Sequence, residues 1–445
     1  MRRQFILFLI VLSVLLTETA YGLPFDAEFG SAVIPKTQGC PLASIWTTGS
    51  SYPFDTVKGP LSGASGVAFS APSSCTRDEF DAIALQIQQD YVDGIVDGPG
   101  SSRALFHSAG TFSAVGGPDG LGGVNGGWLK FPENAAFPTS AGLGNVITYI
   151  QNLVEKYPCI TFADAITLNG AIVTEATGGP AVAWMPGRRD AQKTPKNPVI
   201  TSRLPDGSYT IAAVVSFYTQ MGLTDREMAV LSGGGHSLGG CRSENSGWNG
   251  SFTEARNHFP SPKNLFLIQT FEESWVPQVV RNGTEVRIQY ILLDSDGTPV
   301  TDALGNNIIR IPCDTSILLG GNLPTAWAYS YSKDEDLFLD DYARVLQRIS
   351  QLGAGVGGWS LNQSQYVWLG INGTANNHGV DIEPQGGDPP VSVADFQPPK
   401  WIQNLAQGQS TLMSSTGVQS APSSEAVLLT PFMIIFALAL IIISG

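Results

Sequence analysis

The chain is poor in charged residues and in histidine. Asp, Glu, Lys and Arg make up 14% of its 445 residues, whereas about 25% is usual for a soluble domain. It has four histidines and a formal net charge of −14, and no run of basic residues. This charge balance argues against nucleic acid and against an anionic membrane surface as partners. The cysteines nowhere have the Cys-x-x-Cys spacing of a zinc site.

Both ends of the chain have the composition of processing signals. Residues 1–22 combine a basic start, an apolar stretch and a small-residue cleavage site, which predicts a secretory signal peptide. Residues 410–425 form a Ser-rich linker with candidate cleavage sites, and residues 426–445 are almost wholly apolar, which together predict a GPI-anchor signal. The alternative is a C-terminal membrane helix, although the basic residues that usually follow one are missing. We therefore expect a secreted protein, held at the cell surface by a lipid anchor.

Two of the four histidines lie in contexts that suggest a shared site. His107 lies within residues 103–112, RALFHSAGTF, and His236 within residues 231–240, LSGGGHSLGG. A single histidine in an apolar helix is usually structural, but this pair occurs with several ordered flanking motifs. Because Arg103 and His107 are four residues apart, they would share one face of a helix. The pattern predicts the two sides of one haem.

The chemistry of peroxide explains these residue types. Cleavage of hydrogen peroxide on iron(III) needs a base that moves a proton from the near oxygen to the far one, and a fixed cation that stabilises the developing charge. His107 and Arg103 fit those two tasks. On the other side of the haem, an imidazole such as that of His236 would bind iron, and its second nitrogen needs an acceptor, best a carboxylate.

These segments resemble a known family. Residues 225–236, DREMAVLSGGGH, resemble the proximal segment of the plant-type haem peroxidase superfamily, and residues 103–110 resemble its distal segment. Two further segments lie between the distal and the proximal segment in the order typical of the family. They are residues 157–164, YPCITFAD, and residues 203–206, RLPD. The resemblance spans about residues 78–353 and is strongest to the intracellular cytochrome c peroxidase branch. With its export signals, the chain is identified as a secreted fungal-type member between that branch and the extracellular ligninolytic branch.

The resemblance implies a role for each matching residue. His236 would bind the iron of haem b, and Arg103 and His107 would act on hydrogen peroxide. Phe106 would flank the iron in the distal pocket, and Arg242 would bind a haem propionate with a charge-assisted hydrogen bond.

Two further positions depart from the family pattern or extend it. The asparagine that usually orients the distal histidine aligns with Ser140, and the nearby Asn134 is a possible substitute. A structural calcium ion is expected near Ser237 and Thr253 by the same resemblance.

The proximal carboxylate has two candidate segments. Residues 323–326, LPTA, imitate the family's Leu-Pro-Thr-Asp but end in alanine. Asp314 instead keeps the family's distance to the next helix, near residues 334–338, to within about one residue. Asp314 is therefore the expected acceptor for the second nitrogen of His236.

The five cysteines fit an oxidising compartment, with at least one left unpaired within the chain. If His236 and Asp314 touch, their neighbours Cys241 and Cys313 lie close, and we expect a disulfide between them. Cys40 would then pair with Cys75, leaving Cys159 as a buried thiol. Glycosylation sequons begin at Asn249, Asn282, Asn362 and Asn372.

Helical periodicity dominates the middle of the chain and predicts a mostly α fold. The predicted helices are 77–93, 142–156, 161–176, 211–220, 225–232 and 334–352. Alternation at 286–290, followed by turn sequences, predicts a small inserted β-hairpin region before Asp314. The expected organisation is a signal peptide (1–22), an N-terminal extension (23–75), a peroxidase domain (76–353), an irregular extension (354–409), the linker (410–425) and the anchor signal (426–445).

The predicted activity is peroxide reduction with one-electron oxidation of small aromatic or phenolic donors. This donor class is the default, because the specialised donor sites of the family are missing. The aligned residues are Phe252 for the radical-bearing tryptophan, Asn245 for the ascorbate arginine, Val96 and Gly100 for the manganese glutamates, and Leu231 for the surface tryptophan. The alternative function is a surface-anchored protein that keeps the fold without turnover, which the serine at position 140 and the anchor favour.

Overall fold

The computed structural model describes residues 67–113, 122–193, 203–282, 285–319, 323–353, 366–375, 384–392, 396, 399, 401–402 and 413–414. All of them belong to the larger of two compact units, residues 51–445. The predicted signal peptide, Cys40 and the apolar segment 426–445 lie outside the described residues. Within the described part, no helix is long and apolar enough to cross a membrane.

Helices dominate the described residues, which confirms the predicted fold class. In chain order they are α1 (Arg77–Val92), α2 (Gly98–Ala109), α3 (Pro132–Ala135), α4 (Gly144–Lys156), α5 (Phe162–Ala176), α6 (Ile211–Gln220), α7 (Asp225–Gly235), α8 (Ser243–Ser246), α9 (Leu265–Glu272), α10 (Pro312–Leu319), α11 (Leu323–Lys333) and α12 (Glu335–Ile349). Each helix predicted from periodicity is present, and no end differs from its predicted position by more than three residues.

Local sequence explains where two of these helices begin. At α1 the Thr76 side chain accepts a hydrogen bond from the Glu79 backbone N–H, and the Glu79 carboxylate accepts one from the Thr76 N–H. Thr224 and Glu227 form the same capping box at α7. Each box satisfies two backbone donors that the first helical turn leaves without partners. The start of α7, and hence the position of its far end, is therefore fixed by local sequence.

In the sequences of helices α9, α10 and α11, apolar and polar residues do not alternate with a clear helical period. Helix α11 is buried on nearly all sides, from Pro324 to Ala328 and again from Ser330 to Ser332. A helix enclosed by protein needs no polar face. Its sequence therefore lacks the alternation of apolar and polar residues by which a surface helix is predicted.

Close packing sets the positions of the two central helices. Helix α5, buried from Phe162 to Thr174, packs against α1, α2 and α4. Helix α7 packs against α11 and α12. A Cβ atom on Gly234 would lie 2.3 Å from the Tyr342 ring, so only glycine permits this approach of α12 to α7.

A small sheet forms the inserted β region. Strand β5 (Ser274–Asn282) pairs antiparallel with β6 (Glu285–Leu293), and β7 (Ile309–Arg310) pairs with the other edge of β6. Strand β8 (Met413–Ser414) lies parallel beside β5. The remaining two-stranded sheets pair β1 (Phe69–Pro72) with β2 (Arg189–Ala191) and β3 (Gly240–Cys241) with β4 (Gly250–Ser251). Strand β7 leads directly into α10, which carries Asp314.

The predicted disulfide pattern is wrong. Cys75 is bonded to Cys159, and Cys241 and Cys313 are free thiols. The Ser74 backbone N–H donates to the Cys159 carbonyl at 2.8 Å, which holds the two segments side by side with a Cα–Cα distance of 4.8 Å. That separation lies within the range a disulfide requires. The bond excludes both the Cys40–Cys75 pair and a free Cys159.

Candidate functional site

His236 lies at the C-terminal cap of α7 and is hydrogen-bonded to Asp314. Its Nδ1 lies 2.7 Å from Asp314 Oδ1, and Asp314 Oδ2 accepts a hydrogen bond from the Ile311 backbone N–H at 2.9 Å. Both carboxylate oxygens are thus engaged, and the side chain is almost completely buried. The structure brings together the histidine and the acid that the sequence paired, while the competing segment 323–326 lies within α11.

Two phenylalanine rings hold the His236 imidazole from the sides. The Phe252 ring stacks on it with centroids 4.0 Å apart and an interplanar angle of 14°. The Phe266 ring meets it edge-on, with centroids 6.0 Å apart. Because Nδ1 is bound by Asp314, Nε2 is the nitrogen available to a ligand. A Cβ atom on the neighbouring Gly235 would meet no atom of another segment within 4 Å.

His107 and Arg103 lie on α2, as their spacing predicted. His107 is buried, and its Nδ1 has no hydrogen-bond partner among the described groups. The neighbouring Phe106 packs against Phe217 and Tyr218, with ring centroids 6.0 and 6.4 Å apart. The His107 ring is therefore held by packing rather than by a side-chain hydrogen bond.

The Arg103 guanidinium is anchored to the backbone on either side of Ser140. It donates to the Ala141 carbonyl at 2.7 Å and to the Thr139 carbonyl at 2.9 Å. Ser140 Oγ is buried with no partner among the described residues. Asn134 donates from Nδ2 to the Trp128 carbonyl. Neither Ser140 nor Asn134 bonds His107, so the orienting partner expected from the family pattern is missing from the direct contacts.

The electrostatics of this side keep the His107 imidazole neutral. Burial lowers the pKa of His107 well below its usual range, and the nearby Arg103 charge lowers it further. Burial also lowers the pKa of Arg103, against the opposing effects of Cys241 and Asp97. An arginine remains charged at neutral pH despite such a shift. The pair therefore offers a neutral base and a fixed cation, the combination that peroxide cleavage requires.

Several contacts join the His107 side to the His236 side. The Tyr218 hydroxyl, beside Phe106, lies 3.1 Å from Ser232 Oγ on α7. A Cβ on Gly239, three residues after His236, would lie 3.0 Å from Pro99 at the start of α2. These contacts place the ends of α2 and α7 around one region of the protein.

The remaining residues that the sequence predicts for the site are Arg242, Ser237 and Thr253. Arg242 is exposed, and its backbone carbonyl accepts hydrogen bonds at the start of α8. The Ser237 hydroxyl donates to the Gly233 carbonyl and the Thr253 hydroxyl to the Ser237 carbonyl. Among the described residues there is no group of three or more His, Cys, Asp or Glu side chains that could hold a metal ion. His258 lies 3.1 Å from the Phe259 carbonyl, and His378 lies outside the described residues.

Sequence reasoning missed Arg310, a completely buried cation on the His236 side. Its guanidinium donates to the backbone carbonyls of Phe252 and Phe266, the two residues whose rings hold the imidazole. The available signal was local, since Arg310 interrupts the apolar run of Ile308, Ile309 and Ile311. A charge placed in such a run is costly unless it is hydrogen-bonded.

The chain is similar to proteins of a known family. Residues 84–264 match the peroxidase family model. The chain is 32% identical over 273 residues to a Pyricularia oryzae protein named "putative heme-binding peroxidase", covering 61% of this chain and 85% of that protein. It is 30% identical to a rice protein named "probable L-ascorbate peroxidase 3, peroxisomal", covering 56% and 72%. It is 29% identical to the mitochondrial cytochrome c peroxidase of Yarrowia lipolytica, covering 64% and 77%.

The chain belongs to the plant-type haem peroxidase superfamily. It is a haem peroxidase that acts on hydrogen peroxide. The described residues fit the cofactor: Asp314 binds Nδ1 of His236 and leaves Nε2 for iron, and the buried His107 would supply a neutral base. Haem, when bound, supplies the iron on which peroxide is reduced.

Replacement of His236, the candidate iron ligand, should remove the cofactor. In His236→Ala the nitrogen donor is lost while Asp314 remains, so haem should not be retained after purification. His258→Ala removes a histidine that has only a backbone contact, and it should keep haem at the wild-type ratio. Absorbance of haem relative to protein measures both, and equal haem loss in the two variants would contradict the assignment of His236.

Replacement of the distal base should separate haem binding from peroxide reactivity. His107→Leu should retain haem and slow the reaction with peroxide by about 10²-fold or more, the usual contribution of a positioned proton-transfer group. Because the pKa of His107 is lowered, the wild-type rate constant should stay flat from pH 7 through pH 6.5 and fall only at lower pH, where the imidazole gains a proton. Stopped-flow spectroscopy measures both effects, and a fall centred at or above pH 6.5 would contradict this account.

Proposed function

We propose that the mature protein is an extracellular, surface-tethered peroxidase that oxidises small aromatic or phenolic donors one electron at a time. The observation that carries this proposal is the arrangement of a neutral His107 and a charged Arg103 on α2, and of His236 bonded to Asp314 behind α7. The first pair suits proton transfer to peroxide and the second suits an electron-rich iron ligand.

The proton steps follow from the groups on α2. Peroxide delivers its proton to the neutral imidazole of His107, which returns it to the far oxygen as water leaves. The Arg103 guanidinium has two N–H groups committed to the Thr139 and Ala141 carbonyls. Its remaining donors and its charge stabilise the oxygen on which negative charge develops. Two donor molecules then supply one electron each.

Small aromatic donors are favoured because specialised donor positions carry unsuitable residues. Phe252, at the position of the radical-bearing tryptophan, stacks on the iron ligand. Leu231, at the position of the surface tryptophan, is buried. Val96 is buried, and a side chain at Gly100 would collide with Asp97. The net charge of −14 favours neutral or cationic donors over anionic ones.

The proposed location of the protein rests on its sequence and on the exposure of two sequons. The signal peptide and the apolar segment 426–445 support export and a lipid anchor, and the sequons at Asn249 and Asn372 lie at exposed positions. A structural calcium ion near Ser237 and Thr253 stays an expectation from the family.

A second candidate function is a haem-binding surface protein without turnover. The specific observation in its favour is that neither Ser140 nor Asn134 holds the His107 ring by a hydrogen bond. Retention of haem without any reaction with peroxide would distinguish it from the peroxidase.

Donor preference should follow size and charge. With saturating peroxide, a neutral phenol should give a kcat/KM at least about tenfold above ascorbate, Mn²⁺ or cytochrome c, a factor equal to 1.4 kcal/mol. An anionic phenol of the same size should be slower, and the difference should shrink as salt is raised. Steady-state kinetics with His107→Leu as the inactive control measures this. Faster turnover with ascorbate or cytochrome c would contradict the proposed donor class.

The anchor proposal predicts release by a lipid-specific enzyme. Phosphatidylinositol-specific phospholipase should free the protein from membranes of the cells that make it, because the apolar segment would have been replaced by a lipid. Release by detergent alone, with residues 426–445 still detected by mass spectrometry, would instead indicate a membrane helix.

A further inference from the structure

Arg310 is a charged residue enclosed in the protein interior. It is completely buried, and its Nε donates to Thr270 Oγ1 at 2.6 Å. Its Nη1 donates to the carbonyls of Phe252 and Ile309, both at 2.8 Å, and its Nη2 to the Phe266 carbonyl at 2.7 Å. Among the described residues no carboxylate forms an ion pair with it. The guanidinium is well hydrogen-bonded, but its positive charge is not neutralised by direct contact.

The charge lies between aromatic rings next to the iron-binding imidazole. The guanidinium carbon is 3.8 Å from the centroid of the Phe266 ring and 4.4 Å from that of Trp275. Phe266 in turn meets His236 edge-on. Burial lowers the pKa of Arg310 to about 9, against the opposing effects of Asp314 and Glu254. The side chain therefore keeps its charge at neutral pH.

Trp275 is the first of a series of aromatic side chains that leads away from the rings around Arg310. Its ring centroid is 6.4 Å from that of Trp401, which is 5.5 Å from that of Tyr290, a side chain with partial exposure. The indole Nε1 of Trp275 donates to the Gln269 carbonyl at 2.9 Å. Indole and phenol are readily oxidised, so this path would conduct oxidising equivalents toward the surface if Trp275 lost an electron.

A cation on the face of an aromatic ring opposes that loss. The attraction between a guanidinium and a neutral ring depends on the ring's negative face. Removal of an electron makes the ring positive, and two like charges about 4 Å apart in a protein interior repel strongly. Arg310 thus stabilises the reduced form of Trp275 and destabilises its oxidised form.

We propose that Arg310 is a positioning residue that holds Phe252 and Phe266 against His236 and, through its charge, keeps Trp275 reduced. Oxidising equivalents derived from peroxide are thereby kept out of the path through Trp275, Trp401 and Tyr290. This inference rests on the proposed peroxidase activity but not on the identity of the donor.

The electron balance is simple. Reduction of one hydrogen peroxide to two waters consumes two protons and two electrons, and both electrons come from the haem protein. In the wild type, external donors replace both electrons. Without the Arg310 charge, Trp275 supplies one of them and the haem supplies the other. Trp275 then becomes a cation radical whose Nε1 proton stays bonded to the Gln269 carbonyl.

The test is the yield of tryptophan radical after one equivalent of peroxide without donor, measured by rapid freezing and electron paramagnetic resonance. Arg310→Met keeps an unbranched apolar stem, although a shorter one, and removes the charge together with the guanidinium hydrogen bonds. We expect its radical yield per haem to exceed the wild-type yield at least tenfold, and the signal to vanish in Arg310→Met with Trp275→Phe. The Fe(III)/Fe(II) potential should also become more negative, because a nearby positive charge is lost. Arg310→Lys, which keeps the charge, should resemble the wild type.

A second variant serves if Arg310→Met does not fold. Thr270→Asp leaves Arg310 and its backbone contacts in place but sets a carboxylate beside the guanidinium, and it should raise the radical yield as well. Wild-type yields in both Arg310→Met and Thr270→Asp would overturn the inference, as would a high yield in Arg310→Lys. Failure of the proposed activity is a different result, since wild-type protein would then show no spectral change with peroxide.

Discussion

The hydrogen bond between His236 and Asp314 is the constraint around which the proximal half of the structure is organised. It needs the end of α7 and the start of α10 at one place, although the two residues are 78 positions apart. Gly234, two residues before His236, lets α12 approach α7, and β7 leads the chain into α10. The carboxylate is buried, and the Ile311 N–H and the charge of Arg310 compensate it from the protein side.

The parts of the fold and of the site that the sequence predicts are those that depend on a local pattern or on a fixed spacing. Helices such as α1 and α7 carry both a period and a capping box, so their bounds follow from a few neighbouring residues. Asp314 was identified from its spacing to the following helix, and the structure places it at the imidazole. The hairpin was expected at residues 286–290, but its full length depends on pairing with β5, which local alternation does not reveal.

The features that the sequence does not predict depend on where side chains point in three dimensions. The predicted disulfide between Cys241 and Cys313 depends only on their expected proximity. A disulfide also needs side chains that point toward each other. Cys241 and Cys313 stay as thiols, and burial raises the pKa of each. Arg310 is a similar case, because its partners include the carbonyls of Phe252, just after β4, and of Phe266 on α9, which no spacing rule connects to it. The same holds for His107, whose ring is held by packing near Phe106.

The contact between Tyr342 and Gly234 bears on how long the protein keeps its cofactor. The Tyr342 ring, on α12, fills the notch at Gly234 on α7, and its hydroxyl lies near Ser102 on α2. This one side chain therefore lies against both α7 and α2, the helices that carry the candidate site residues. Neither helix separates from the other without disturbing a fully buried ring. If loss of the cofactor involved separation of these helices, it would also disturb this packed core, so residence time would depend on the packing as well as on the iron bond.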